Sequence, residues 1–383
     1  MTRYRPVCRV PATQRTDRSV SSRQEENPLT ASNPSPGKRH VVAVFGANGH
    51  TGRFVVAELL RRGHRVVAMG RDFARLSAAF EQTEVELRAA CLEDSDALGR
   101  ALVGVEVIVN CAGPFLDTAE ALVAAALRAR VHYLDVSAEQ ASAQALFERF
   151  SVAAEDAGIL VLPAVGFYGG FADLLATVAT AGWAEADAVS IGIALDAWWP
   201  TPGTRNTGRR NTVPRVVIEA GKLAPKGAAG PSEWHFPAPF GRQEMAEVPF
   251  SEMVLIHRHL RAMQVRTWLN TRPLDDLSNP STPPPVATDA SGRSAQRFLV
   301  EVRARRGAEE RRVTASGRDI YAFTAPLVVE AVERILAGGA HAGVRSVGEA
   351  FDAADYLRSL ASHFDFDPST LAADGAIRAP AAR

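Results

Sequence analysis

Short, unbroken apolar runs alternate with amphipathic stretches from residue 40 onward. Unbroken runs are typical of strands that are buried on both faces of a parallel sheet. They predict strands at Val41–Phe45, Arg65–Met69, Val85–Cys91, Val105–Asn110, His132–Val136 and Ile159–Leu162. Helical periodicity predicts helices near Gly52–Arg62, Phe73–Phe80, Ser95–Leu102, Asp117–Arg128 and Ala138–Ala157. This alternation predicts an α/β fold, with an N-terminal Rossmann domain over residues 40–163 that contains a parallel, doubly wound sheet.

Residues 164–315 predict a second, smaller α+β domain. The expected strands are Val189–Leu195, Ser232–Phe236, Val265–Asn270 and a hairpin of Arg297–Arg303 with Arg311–Ala315. The expected helices are Ala172–Thr180, Asn206–Gly221 and Ser251–Met263. The Pro-, Ser- and Thr-rich stretch Leu274–Gln296 predicts a mobile loop.

The remaining segments flank these two domains. Residues 316–362 predict helices, at Tyr321–Ala337 and Val347–Leu360, that pack back near the first domain. Residues 1–39 are rich in Arg, Ser and Pro and lack periodicity, which predicts a disordered extension; the same composition also resembles a transit peptide. Residues 363–383 predict a disordered tail.

A glycine-rich turn follows the first predicted strand and opens the first predicted helix. Gly46 permits a tight turn, Gly49 allows a pyrophosphate to approach the backbone, and Gly52 allows close packing of helix on strand. The free N–H groups at the helix N-terminus favour phosphate. Because the motif lies within a strand–turn–helix unit, it predicts a dinucleotide site. The expected cofactor contacts in this turn are Gly46, Asn48, Gly49, His50, Thr51 and Gly52.

The end of the second predicted strand indicates which dinucleotide binds. Sites for NAD place a carboxylate there, whereas an arginine accommodates the 2′-phosphate of NADP. Arg71 lies at that position and Arg75 lies one helical turn later, which favours NADP(H). Asp72 between them is a candidate N-cap of the next helix.

Three further groups of residues are candidates for the site. The turn Cys111, Ala112, Gly113 and Pro114 follows the fourth strand and is able to approach a cofactor closely. Tyr168, His132 and Asp135 are candidate proton donors, although the residues alone do not choose between them or water. Arg205, Arg209 and Arg210 are candidates to receive a substrate carboxylate or phosphate, with a solvated helix face as the alternative.

Composition excludes several functional classes. The 43 basic residues balance 43 acidic ones, so no global field favours nucleic acid. We expect no integral membrane span and no metal site, because apolar runs are short and HExxH spacing is absent. Three cysteines without close spacing favour a cytoplasmic location. The sequence is compatible with assembly of the protein into a homo-oligomer.

Several segments together resemble the saccharopine dehydrogenase-like NADP-dependent oxidoreductases, a group related to trans-acting enoyl reductases. They are Val44–Gly52, Met69–Asp72, Asn110–Phe115, Tyr133–Asp135 with Glu139, Pro163–Phe167, Pro200–Thr204 and Ser316–Ala325. Ala164 and the segment 168–170 depart from the Pro-Gly-Val-Gly-Phe-Asp pattern of relatives. The resemblance implies a nicotinamide cofactor in the first domain and a substrate pocket between the two domains.

The resulting functional hypothesis is an NADP-dependent oxidoreductase that reduces a C=C or C=N bond of a small metabolite or carrier-bound acyl group. The chain has no Tyr-x-x-x-Lys pair, so the usual proton relay of short-chain dehydrogenases is absent. That absence keeps open the alternative of a non-catalytic, NADP-binding redox sensor. An isomerase or epimerase with a retained cofactor is a third hypothesis.

Overall fold

The computed structural model describes residues 39–230 and 232–366. Within these residues the first sheet has seven parallel strands in the order β15-β6-β5-β4-β1-β2-β3. Its strands are β1 (Val41–Phe45), β2 (Arg65–Gly70), β3 (Glu86–Ala89), β4 (Val107–Asn110), β5 (His132–Asp135), β6 (Leu160–Leu162) and β15 (Gly343–Val344). Its connecting helices are α1 (His50–Arg61), α2 (Phe73–Ala79), α3 (Ser95–Ala101), α4 (Phe115–Ala129) and α5 (Gln140–Ala157). The predicted α/β fold is confirmed.

Strand β1 shows why the apolar runs are unbroken. Val42 and Val44 belong to one hydrophobic core, while Ala43 and Phe45 belong to the core on the opposite face of the sheet. Strand order reverses between β1 and β4, so the loops after these strands diverge and leave a crevice at the carboxyl edge. Ligands of open α/β sheets bind at such a reversal point.

A second, mixed sheet follows, and within the described residues it has nine strands, so it is not the smaller of the two. The order is β10-β11-β12-β7-β13-β14-β16, with β8 beside β12 and β9 beside β8. The strands are β7 (Ala186–Leu195), β8 (Val216–Glu219), β9 (Lys222–Pro225), β10 (Ser232–His235), β11 (Arg242–Glu247), β12 (Ala262–Asn270), β13 (Arg297–Arg306), β14 (Glu309–Arg318) and β16 (Asp365–Phe366).

The remaining helices pack the two sheets together. They are α6 (Ala172–Ala179), α7 (Pro202–Arg210), α8 (Glu252–His259), α9 (Thr271–Ser278), α10 (Ile320–Ala337), α11 (Val347–Ala350) and α12 (Ala353–Ser359). Helix α10 lies along α1, and one core joins Val44 of the first sheet, Ile193 of the second and Phe323 of α10. None of the helices in the described ranges combines the length and apolar character that a bilayer span requires.

The predicted helix Asn206–Gly221 is wrong. Helix α7 begins earlier, where the Thr201 side chain accepts a hydrogen bond from the Thr204 amide, and it ends at Arg210. Pro214 has no N–H group with which to continue a helix. The β-branched residues that follow it form β8 instead.

Other boundaries also differ from the predictions. The predicted helix Ser251–Met263 ends at His259, and β12 begins within its range at Ala262. The first five residues of the predicted mobile loop Leu274–Gln296 belong to α9. Residues 316–362 contain strand β15 besides helices, because Gly343 and Val344 pair with β6.

The predicted disorder of the ends is only partly open to comparison. Asp365–Phe366 pairs with β14, so the predicted disordered tail 363–383 begins too early. Of that tail, residues 367–383 lie outside the described residues, as do residues 1–38 of the predicted extension.

Candidate functional site

The glycine turn after β1 is closely packed. Gly46 has a φ of +78°, and a Cβ atom there would lie 2.9 Å from the Ala112 Cβ. A Cβ at Gly52 would lie 2.2 Å from the Gly46 carbonyl oxygen. Both positions therefore require glycine. Among the described residues no partner accepts from the amides of His50 and Thr51, which leaves the start of α1 open for an anionic group.

The charged residues after β2 have different roles: Asp72 caps a helix, and the positively charged Arg71 is left without an ion pair among the described residues. Asp72 caps α2, accepting a hydrogen bond of 3.1 Å from the Arg75 amide, and lies 3.4 Å from the Arg75 guanidinium. Arg71 is exposed and forms no ion pair with the part of the chain that the structure describes. Arg71 is therefore free to meet an anion, while Arg75, 78% exposed, has only the surface pair with Asp72, so the 2′-phosphate contact of both residues stays a prediction.

The turn after β4 lies against the glycine turn. The amide of Cys111 donates to the Phe45 carbonyl, and Ala112 packs on Gly46. Burial raises the pKa of the Cys111 thiol well above its usual range, so it is not a nucleophile. The Gly113–Pro114 peptide is cis, and a Cβ at Gly113 would lie 2.6 Å from Thr207 Oγ1 of α7. Helix α7 thus covers this turn.

The N-terminus of α4 is already occupied by a side chain. Glu139 accepts hydrogen bonds from the amides of Phe115 at 2.7 Å and Leu116 at 3.1 Å. Its carboxylate therefore satisfies two of the free N–H groups at the start of this helix. Of these two helix N-termini, that of α1 is the one with amides available to a phosphate.

Asp135 lies at the carboxyl edge as predicted, but its side chain is structural. It is completely buried and accepts hydrogen bonds from the Ala164 amide, the Ser137 amide and the Tyr133 hydroxyl, at 2.8, 3.0 and 3.0 Å. Burial raises the pKa of Asp135 to about 6, against the effect of these donors. Because both carboxylate oxygens already accept hydrogen bonds, Asp135 joins the segments after β5 and β6 and is poorly placed to reach a substrate.

His132 lies at the other edge of the sheet. It is the first residue of β5, and the carboxyl edge is formed by the last residues of the strands. Its Nδ1 accepts a hydrogen bond of 2.9 Å from the Leu160 amide, and burial lowers its pKa. The structure therefore does not bring His132 to the predicted site.

The three candidate arginines have different surroundings on α7. Arg205 donates to backbone carbonyls in the segment 277–282, so it stabilises that segment. Arg210 forms an ion pair of 2.8 Å with Asp117 of α4. Arg209 is exposed, and within the described ranges its one side-chain hydrogen bond goes to Asn206 of its own helix. Arg205 is thus unavailable as an anion receptor, and Arg210 holds α7 over the turn after β4.

Tyr168 is the predicted proton donor whose surroundings fit such a role best. Its hydroxyl is buried and has no hydrogen-bond partner among the described residues. Its ring stacks on Phe250 with a centroid separation of 4.2 Å and lies 5.3 Å from Trp198. Burial raises the pKa of Tyr168, so the hydroxyl keeps its proton at neutral pH.

Tyr321 connects Tyr168 to the glycine turn. The Tyr321 hydroxyl lies 3.0 Å from Trp198 Nε1 and 2.9 Å from Thr204 Oγ1, so it is satisfied. The ring of His50 lies 5.3 Å from the Tyr321 ring, and His50 Nε2 is buried without a partner in the described ranges. We call Tyr168, Trp198, Phe250 and Tyr321 the aromatic cluster; it adjoins the glycine turn through His50.

Sequence reasoning missed most of this cluster. Trp198, Phe250 and Tyr321 lie far from each other in the chain, and no local pattern marks them as neighbours. Only Tyr321 had a usable signal, because it follows Asp319, which caps α10. Among the residues that the structure describes, no three His, Cys, Asp or Glu side chains are grouped as metal ligands.

Comparison with known proteins matches the first sheet to a named family. Residues 42–162 match the family model described as "Saccharopine dehydrogenase NADP binding domain". The predicted resemblance and the predicted cofactor, NADP(H), are confirmed.

The curated relatives match about a third of the chain. A "Probable mitochondrial saccharopine dehydrogenase-like oxidoreductase" of Arabidopsis thaliana is 28% identical over 142 residues, which cover 33% of this chain and 31% of the relative. A "Lipid droplet localized protein" of Caenorhabditis elegans is also 28% identical over 142 residues, covering 34% of this chain and 33% of that protein. The chain therefore spans about a third of the length of the curated relatives that it matches.

One solved structure covers both sheets. Apo saccharopine dehydrogenase (L-Glu forming) from Saccharomyces cerevisiae superposes with a TM-score of 0.61 at 12% sequence identity. The superposition covers 86% of this chain and 99% of that chain. At this identity the likeness establishes the fold alone.

Proposed function

Because residues 42–162 form an NADP-binding domain of the saccharopine dehydrogenase family, we propose that the chain is an NADPH-dependent reductase. It adds hydrogen across a C=C or C=N bond of a small metabolite or carrier-bound acyl group. When bound, NADPH supplies the hydride. The remaining tasks belong to the chain: holding the cofactor, orienting the substrate and delivering a proton.

The observation that carries the proposal is the unpartnered hydroxyl of Tyr168. A buried polar group without a partner is unfavourable by about 1–3 kcal/mol, so such groups are rare and call for an explanation. A substrate atom that receives the Tyr168 proton supplies the missing partner. The position suits this role, because the aromatic cluster connects Tyr168 to the glycine turn through Tyr321 and His50.

The surroundings of Tyr168 favour an apolar or acyl substrate over a dicarboxylate. The Phe250 ring stacks on Tyr168, and the Trp198 ring lies beside it at a centroid separation of 5.3 Å. The basic residues near this region are engaged. Arg215, whose guanidinium lies 5.1 Å from the Phe250 ring, donates to the Pro249 carbonyl; Arg205 binds backbone carbonyls and Arg210 binds Asp117. These groups leave little cationic surface for a substrate with two carboxylates, whereas an acyl chain packs on aromatic walls.

Loss of NADPH absorbance with a panel of α,β-unsaturated acyl thioesters and cyclic imines tests the proposal. We expect turnover of at least one class, and a loss of about 100-fold or more in kcat for Tyr168→Phe with unchanged NADPH affinity. Tyr356→Phe is the matched control, because its buried hydroxyl bonds to the Leu327 carbonyl in α10, outside the aromatic cluster. That variant should lose stability but not turnover.

Two results would contradict the proposal. One is NADPH binding without turnover of any panel member, which would favour the redox sensor. The other is a Tyr168→Phe variant as active as the parent, which would place the proton donor elsewhere.

A further inference from the structure

Glu252, the first residue of α8, carries a buried carboxyl group with one satisfied and one unsatisfied oxygen. Its Oε1 accepts hydrogen bonds from Thr267 Oγ1 at 2.6 Å and from the Phe250 amide at 2.9 Å. Its Oε2 is buried with no partner among the residues that the structure describes. Glu252 as a whole is completely buried. Neither the family resemblance nor the predicted site assigns it a role.

The segment 250–252 wraps around Tyr168. Phe250 stacks on the Tyr168 ring, and Ser251 Oγ donates to the Tyr168 carbonyl at 2.9 Å. Glu252 follows directly, and its carboxyl group accepts a hydrogen bond from the amide of Phe250, the residue whose ring stacks on Tyr168. Two buried side-chain oxygen atoms without partners, Tyr168 Oη and Glu252 Oε2, thus belong to neighbouring groups.

Resting on the proposed function, we propose that Glu252 is a positioning residue that holds a proton in reserve and restores it to Tyr168 after each turnover. The pairing accounts for both unpartnered oxygens at once. A bridging water or a direct hydrogen bond formed during turnover satisfies them together.

Burial favours the protonated form of Glu252, whereas the nearby positive charge opposes it. Burial is the largest effect and raises the pKa of Glu252, against its hydrogen bonds with Thr267 and the Phe250 amide and the charge of Arg215. The guanidinium of Arg215 lies 5.1 Å above the Phe250 ring, and burial lowers its own pKa. On the α10 side, the titratable Tyr321 bonds through its hydroxyl to Trp198, whose ring lies beside Tyr168.

The proton transfers balance as follows. The O–H bond of Tyr168 breaks, its electron pair stays on the phenolate oxygen, and the proton forms a C–H or N–H bond on the substrate. The O–H bond of Glu252 then breaks, the proton restores the Tyr168 hydroxyl, and a carboxylate remains. Solvent protonates that carboxylate before the next cycle, so one proton from water is consumed for each NADPH oxidised.

Glu252→Gln tests this inference without disturbing the fold. The glutamine carbonyl can keep both hydrogen bonds that Oε1 accepts, but the amide cannot release a proton. We expect kcat to fall by about 100-fold with unchanged NADPH affinity. We also expect the parent to lose kcat as pH rises through the raised Glu252 pKa, and the variant to lack that limb.

Glu301→Gln is the matched control. Glu301 is also completely buried in the second sheet, but it bonds to Trp234 and Arg303, away from the aromatic cluster. Its substitution should leave the pH profile of kcat unchanged. A Glu252→Gln variant with the kcat and pH profile of the parent would overturn the inference, even when Tyr168→Phe abolishes turnover and so supports the proposed function.

An infrared spectrum of the protein without cofactor gives a second readout. The difference between parent and Glu252→Gln at neutral pH should contain the carbonyl-stretch band of a protonated carboxyl group. Carboxylate bands in its place would show that Glu252 holds no proton, and the inference would fail. If the parent turns over no substrate while Glu252 is protonated, the result contradicts the proposed function and not the protonation of Glu252.

Discussion

Arg62, directly after α1, lies in a buried ion cluster that joins α1 to α10. Helix α1 begins at the glycine turn, and α10 contains Tyr321. Its guanidinium lies 2.8 Å from Glu58 of α1 and 3.0 Å from Glu330 of α10. The Arg62 side chain is 12% exposed, and those of Glu58 and Glu330 are 10% and 11% exposed. We therefore predict that Arg62→Met destabilises the protein by leaving buried carboxylates with one cation fewer.

The expected size follows from what remains after the substitution. Removing one partner of a buried ion pair costs about 3–5 kcal/mol. Arg61 still pairs with Glu58 and Arg334 still pairs with Glu330, and the methionine replaces the apolar stem of the arginine. These features place the loss at the lower end, at about 3 kcal/mol.

Chemical denaturation of parent and variant measures this loss in the free energy of unfolding. Arg149→Met is the matched control, because the Arg149 side chain is 62% exposed and pairs with Glu120 at the surface. The control should lose at most about 1 kcal/mol. An Arg62→Met variant no less stable than the control would refute the reasoning that the cluster clamps α1 to α10.

Three further predictions address packing and pH. Gly52→Ala should cost about 3 kcal/mol of unfolding free energy and abolish NADPH binding, because the new Cβ meets a backbone oxygen. Gly113→Ala should cost less than about 1 kcal/mol, because the new Cβ meets only the Thr207 side chain, which can rotate; equal losses for the two variants would contradict this. Burial alone would lower the pKa of His259, but the charge and hydrogen bond of Asp173 outweigh it and raise the pKa. The pair therefore stabilises fully below the unfolded pKa of about 6.5 and progressively less as pH rises through the raised value, and His259→Gln should remove that dependence in denaturation curves.

The first sheet could be predicted because its signals are local. Strands such as β1 and β2 are short, largely apolar runs, and Gly46 and Gly52 mark the turn between strand and helix. The structure adds the physical reason, since a side chain at either glycine would strike neighbouring backbone or Ala112. Arg71 was likewise predictable from its distance to the turn.

The site predictions differ from the structure where a residue was chosen by its type, without knowledge of where its side chain lies. His132 was a reasonable acid–base residue by type, but the first residue of a parallel strand lies at the edge opposite the ligand. Arg205 was a candidate anion receptor, with a solvated helix face as the alternative, and its donors instead serve backbone carbonyls of a segment that no periodicity could place. Both errors concern side-chain surroundings rather than secondary structure.

The aromatic cluster could not be predicted because its contacts are non-local. Tyr168, Phe250 and Tyr321 come from three segments that meet only when the second sheet packs against the first. Glu252 gave no signal, because an acidic residue at the start of a helix is ordinarily a favourable charge near the helix N-terminus. Its burial, which the second sheet creates, is what makes it notable.

The central claim is that the glycine turn and Arg71 bind NADPH beside Tyr168. Titration of the purified protein with NADPH and NADH, followed by nicotinamide fluorescence, tests it most directly when repeated with Arg71→Ala. Charge-assisted hydrogen bonds to the 2′-phosphate contribute about 1.5–3 kcal/mol, so the variant should bind NADPH at least about tenfold more weakly and NADH unchanged. Failure of the parent to bind either nucleotide would contradict the account, and equal affinity of parent and variant for NADPH would remove Arg71 from it.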